Sequence, residues 1–114
     1  MKFYNGLKRL NKEVKKIKTI EEIKRIIKRH KAQIREKYGV IIVGIFGSYT
    51  RGEQRETSDV NIIVELEKPI GLKFYELLDY LENILGIKVD VLTLSALKQK
   101  SLLWENIKEN ILYV

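Results

Sequence analysis

Val40-Ile41-Ile42-Val43-Gly44-Ile45-Phe46-Gly47-Ser48, followed after ten further residues by Asp59-Val60-Asn61-Ile62-Ile63-Val64-Glu65-Leu66, is the stretch on which the fold turns. Val40 to Phe46 is a short apolar run rich in β-branched side chains and reads as a buried strand. Gly47-Ser48 ends it. Val60 to Leu66 reads as a second strand, broken by Lys68-Pro69, since proline lacks an N–H and fixes φ. Between the strands, Ser48 is suited to cap a short helix over Tyr49 to Glu53, and Gln54 to Ser58 is polar and turn-like.

Towards the N-terminus, Thr19 with Glu22 three residues later forms a capping-box pattern, which starts a helix. Ile23, Ile26, Ile27, Ile34 and Tyr38 supply its buried face, and Gly39 stands where a left-handed C-cap residue belongs. Before it, Phe3, Leu7, Leu10, Val14 and Ile17 recur at helical spacing among lysines, predicting a basic amphipathic helix over residues 1–18. Towards the C-terminus, Leu72 to Leu85 reads as a helix ended by Gly86, and Ile87 to Leu94 as a third strand. Ser95 is placed to cap a helical turn, and Leu102 to Leu112 reads as a last helix. The order α-α-β-α-β-α-β-α predicts a small α/β (α+β) domain: a three-stranded mixed sheet flanked by helices, with an extra N-terminal helix.

The 114 residues fit a single domain spanning 1–114, and 45% hydrophobic content is enough for a packed core. No apolar run approaches the roughly 20 residues that span a bilayer, and the N-terminus is too polar for a signal peptide. With no cysteine, disulfides and thiolate metal sites are excluded, and the cytoplasm is the expected compartment. The abundance of Lys, Glu, Arg and Ile suits the ion-paired surface of a thermophile's protein. The net charge of +7 is uneven: residues 1–40 hold 14 Lys/Arg against 4 Asp/Glu, whereas residues 41–114 hold 8 against 11. That asymmetry fits either an anionic partner for the first part or an ordinary solvated helix face. No RNA-binding motif accompanies it, so a nucleic-acid partner is not expected.

Three features carry chemistry. Gly47 permits close approach of phosphate to the backbone, and the Ser48 hydroxyl with free helix N–H groups suits phosphate oxygens. A Gly-Ser turn is also a routine way to leave a strand. Asp59 and Asn61 flank Val60, and residues two apart in a strand share a face, where oxygen-bearing side chains suit magnesium. Both types are equally ordinary in turns. Asp90 interrupts the apolar run Val89-Asp90-Val91-Leu92, and a charge among buried neighbours is costly unless paired or metal-bound; the plain alternative is an edge position facing water.

Together these residues resemble the DNA polymerase β-like nucleotidyltransferase superfamily. Its signature is Gly-Ser, ten or so residues, Asp-x-Asp, and a third Asp on a later strand. The Gly47-Ser48-Tyr49-Thr50-Arg51-Gly52 opening and Ser58-Asp59 before the strand are similar to its minimal (MNT) branch, the antitoxin half of HEPN–MNT toxin–antitoxin pairs. The resemblance covers roughly residues 20–110. It implies a protein adenylyltransferase that uses ATP and Mg²⁺ to place AMP on a tyrosine of a HEPN ribonuclease toxin, with which it forms a hetero-oligomer. It also implies roles for single residues. Gly47 and Ser48 grip the triphosphate and Arg51 steadies phosphate charge, as Arg55 would. Asp59, the residue at 61 and Asp90 hold metal, and Asp90 assists deprotonation of the attacking hydroxyl.

Asn61 departs from the pattern, since an Asp is expected there. Asn keeps the size of Asp and one carbonyl oxygen but lacks its charge. Designed or natural, the exchange preserves shape and removes charge, so weakened AMP transfer is expected while binding survives. The alternative is a non-catalytic antitoxin that neutralises its toxin by contact alone.

Overall fold

The structure, a computed structural model, describes residues 18–47, 50, 52 and 59–114. The N-terminal amphipathic helix, the Ser48-capped helix and the turn at 54–58 lie outside the described residues. The first described helix, α1 (Ile20–Tyr38), starts at Thr19. The Thr19 side chain accepts from the Glu22 N–H at 3.2 Å, and the Glu22 carboxylate accepts from the Thr19 N–H at 2.8 Å. Two otherwise orphaned donors are thus satisfied reciprocally. Gly39 closes the helix at φ 72°, donating to the Arg35 carbonyl at 2.8 Å. Its left-handed backbone is what glycine adopts without steric cost.

Two strands follow as the sequence predicts, β1 (Val40–Phe46) and β2 (Val60–Leu66). The helix α2 (Lys73–Leu85) then leads to β3 (Val89–Thr93). The final part differs from expectation. Thr93, rather than Ser95, caps the short helix α3 (Leu94–Gln99), its side chain accepting from the Ala96 N–H at 3.1 Å. The last helix, α4 (Ser101–Ile107), stops five residues short of the predicted Leu112. The chain there forms a fourth strand, β4 (Leu112–Tyr113). The sheet is therefore four-stranded, not three, in the order β3-β2-β1-β4. The apolar spacing of residues 102–112 fits a helix, but open sheet edge along β1 gives Leu112 and Tyr113 backbone partners that spacing alone does not reveal.

The sheet is mixed: β2 runs antiparallel to β1 and parallel to β3, and β4 runs antiparallel to β1. Side-chain alternation divides the core into two layers. Val60, Ile62 and Val64 of β2 join Ile23, Ile27 and Ile34 of α1 and Leu77, Leu81 and Leu85 of α2. Ile63 faces the other way and packs with Leu97 and Ile111, flanked by Phe46, Leu92 and Trp104. Trp104 is thus core, with the Lys98 ammonium 5.6 Å from its ring centroid. His30 is half-buried: Nδ1 lies 2.9 Å from the Ile26 carbonyl and the ring meets Tyr80 edge-on.

Arg35 clamps the end of α1 to Glu67 after β2, with N–O contacts of 2.6 and 3.0 Å. That hydrogen bond holds the Glu67 carboxyl below its usual value of 4.5. Since the folded value is depressed, the pair's contribution is present at neutral pH and is lost as pH falls through and below the ordinary carboxylate range. Arg35→Ala should flatten that acid-side loss in thermal melts followed from pH 7 downwards. Gly44 marks a tighter constraint at the bulge in β1, where the register with β2 shifts between Ile42 and Gly44. A Cβ there would lie 2.7 Å from the Leu112 carbonyl oxygen and 2.9 Å from Ile111 Cγ2. Gly44→Ala should push β4 outward and cost about 1–3 kcal/mol. The readout is urea unfolding with hydrogen exchange at Val114, whose amide donates to Val43 at 3.0 Å. An unchanged midpoint with Val114 still protected would contradict this packing.

Candidate active site

The site residues meet at one end of the sheet because β2 is central. Asn61 is in register with Phe46 on β1 and with Asp90 on β3. Adjacent strands lie about 4.8 Å apart, so Asn61 and Asp90 are side-by-side neighbours. Alternation puts Asn61 on the face of Ile63, and Asp90 on the face of Leu92, which is the layer of α3 and α4. Asp59 stands one residue before β2, two from Asn61, and on the same face. Phe46 belongs to this layer too and forms an apolar floor beside Asn61.

Asp90 is exposed, although Val89 before it is buried. The sequence-based expectation of a charge enclosed by apolar neighbours is therefore corrected: β3 is an edge strand, and its outward face carries Asp90 to water. Asp59 is likewise exposed, and Asn61 is half-buried between them. Among the described residues no three His, Cys, Asp or Glu side chains cluster closely enough to hold a metal ion. What converges is two carboxylates and one amide, all hard oxygen donors of the kind magnesium takes. That donor set fits a divalent cation, with one negative charge fewer than three carboxylates provide.

Gly47 completes the arrangement. Its φ is 102°, and a Cβ built there would sit 2.5 Å from Asn61 Nδ2. Only a glycine leaves room for the Asn61 amide and an open backbone beside it. Thr50, which the sequence reading passed over, donates twice to the Gly47 carbonyl, from its N–H at 3.1 Å and its hydroxyl at 2.7 Å. Those bonds pin the turn that follows β1. A Thr three residues after a glycine turn was the available clue. Ser48 and Arg51, as well as Arg55 and Tyr49, lie outside the described residues. Tyr75 is exposed on α2, its ring edge-on to Phe74.

A family model described as nucleotidyltransferase domain matches residues 27–114, the span that carries Gly47, Asp59, Asn61 and Asp90. The chain belongs to this nucleotidyltransferase family. Within it the likeness runs to the minimal branch. The chain is 52% identical over 81 residues to "Protein adenylyltransferase MntA" of Thermococcus cleftensis, covering 70% of this chain and 82% of that protein. It is 58% identical over 79 residues to "Putative protein adenylyltransferase MJ1215" of Methanocaldococcus jannaschii, covering 68% and 92%. With "Putative protein adenylyltransferase MJ0128" of the same organism it shares 50% over 99 residues, covering 86% of this chain and all of the relative. A solved structure described as "Structure of putative minimal nucleotidyltransferase" superposes with a TM-score of 0.61 at 28% identity, covering 81% and 95%. The chain is accordingly a minimal nucleotidyltransferase, an enzyme class whose substrates are nucleoside triphosphates.

In this nucleotidyltransferase the Gly47–Asn61 contact is testable through stability alone. Gly47→Ala forces an L-residue into a backbone region it rarely occupies, at a cost of about 1–3 kcal/mol, and displaces the Asn61 amide. In an Asn61→Ala background the displacement disappears and the backbone cost remains. A double-mutant cycle by urea unfolding should therefore show Gly47→Ala to be less damaging in that background. Strictly additive costs would mean the two residues do not touch.

Proposed function

We propose that this nucleotidyltransferase is the antitoxin of a HEPN–MNT pair, built to transfer AMP from ATP to a tyrosine of its HEPN ribonuclease toxin, and that Asn61 slows the transfer. The observation that carries this reading is the register pairing of Asn61 with Asp90 beside Gly47, together with the likeness to a protein adenylyltransferase. In the reaction a tyrosine oxygen attacks the α-phosphorus of ATP. An oxygen–phosphorus bond forms, the α–β phosphoanhydride bond breaks, and pyrophosphate leaves.

Gly47 and Ser48 hold the triphosphate, and Arg51 offsets phosphate charge. Asp59, Asn61 and Asp90 would hold Mg²⁺, which when bound neutralises charge on the α-phosphate and the leaving pyrophosphate. Asp90 is exposed on the edge strand, and in this reading it would accept the tyrosine proton. We read residues 1–114 as one domain. The pair would act in the cytoplasm; no helix of the described residues is long and apolar enough to cross a membrane. The missing charge at Asn61 favours a second reading, in which the chain silences its toxin by binding alone.

One experiment separates the two readings. The cognate toxin is incubated with radioactive ATP, magnesium and either the present chain or its Asn61→Asp variant. Restoring the carboxylate should raise labelling by at least about tenfold, since ligand charge sets the affinity for hard cations. Labelling absent from both proteins, with the toxin still inhibited, would leave only the contact mechanism.

A further inference from the structure

The β2–β3 ladder extends one residue beyond the Asn61–Asp90 pair. The Val60 N–H donates to the Lys88 carbonyl at 2.9 Å, while Val60 is in register with Val89. This fixes the Lys88 backbone beside Asp59. Lys88 precedes Asp90 by two residues, so alternation places it on the face of Asp90 and Asn61. The intervening Val89 is buried in the opposite layer. Lys88 is exposed, and among the described residues it forms no ion pair with Asp59 or Asp90. One face of the sheet end thus carries two carboxylates, an uncharged amide and an ammonium that neither carboxylate ties down.

We propose that Lys88 is a phosphate-binding residue of this site, donating to a non-bridging oxygen of the nucleotide's triphosphate from the open side of the Asn61–Asp90 pair. The inference rests on the nucleotide-binding reading above. A lysine is a compact point charge on a flexible stem, which suits a phosphate group that needs no planar fork. The position also answers the charge missing at Asn61. A site with one carboxylate fewer binds a divalent cation more weakly, so the phosphates are less often neutralised by metal, and a neighbouring ammonium offsets their charge. Lys88 therefore contributes most when magnesium is scarce.

The test is calorimetric titration of the full chain with ATP and with adenosine, in magnesium and in EDTA. Three variants are compared: Lys88→Ala, Lys88→Arg, and Lys24→Ala, which makes the same charge change on α1. Lys88→Ala should weaken ATP binding by about tenfold, the size of one charge-assisted hydrogen bond. The loss should be larger in EDTA than in magnesium, with adenosine affinity and melting temperature unchanged. Lys88→Arg should keep most of the affinity, and Lys24→Ala should leave it unaltered. The proposal is overturned if Lys88→Ala binds ATP like the parent, if adenosine binding falls equally, or if Lys24→Ala loses as much. A parent chain that binds neither ATP nor adenosine would instead sink the nucleotide-binding reading, and this inference with it.

Discussion

Everything in this molecule hangs on β2 being paired on both sides. Its antiparallel contact with β1 sets Asn61 against Phe46, and its parallel contact with β3 sets Asn61 against Asp90. Because side chains alternate with a period of two, a slip of one residue in either ladder would send Asn61 into the layer of α1 and α2. The buried side chains prevent that slip. Val60, Ile62, Ile63 and Val64 are fully enclosed, three in one layer and one in the other. Exposing those side chains would forfeit roughly 1.5–3 kcal/mol for each fully buried aliphatic group. The polar site at the sheet's end is positioned by an apolar register with no chemistry of its own.

Much of this was legible in the sequence, because several residue types admit few alternatives. The capping box at Thr19 and Glu22 and the glycine at 39 fixed both ends of α1, and two apolar runs rich in β-branched side chains gave β1 and β2 their observed bounds. Two things were not legible. The fourth strand is only two residues long and takes its identity from the neighbour it pairs with, so no local pattern announces it. The exposure of Asp90 depended on strand order: the same apolar run would enclose it in a central strand and presents it to water at an edge. Local patterns report periodicity, whereas strand order is a long-range property. For the same reason Thr50 and Lys88 escaped notice, since each takes on a role only through a partner brought close by folding.

The site also shows why Asn61 costs the fold little. The position is half-buried, flanked by Gly47 on one side and by an exposed carboxylate on the other. An aspartate there would stand beside Asp90, and like charges at such range oppose folding unless something positive lies between them. An amide removes that repulsion and keeps the shape. Stability and metal affinity therefore pull in opposite directions at residue 61. Lys88 fits the same balance from the other sign: an ammonium at the rim, paired with neither carboxylate, is left to meet phosphate. The electrostatics of the site are in this sense written for a complex, and the apolar ladder of β2 is what allows the free protein to tolerate them.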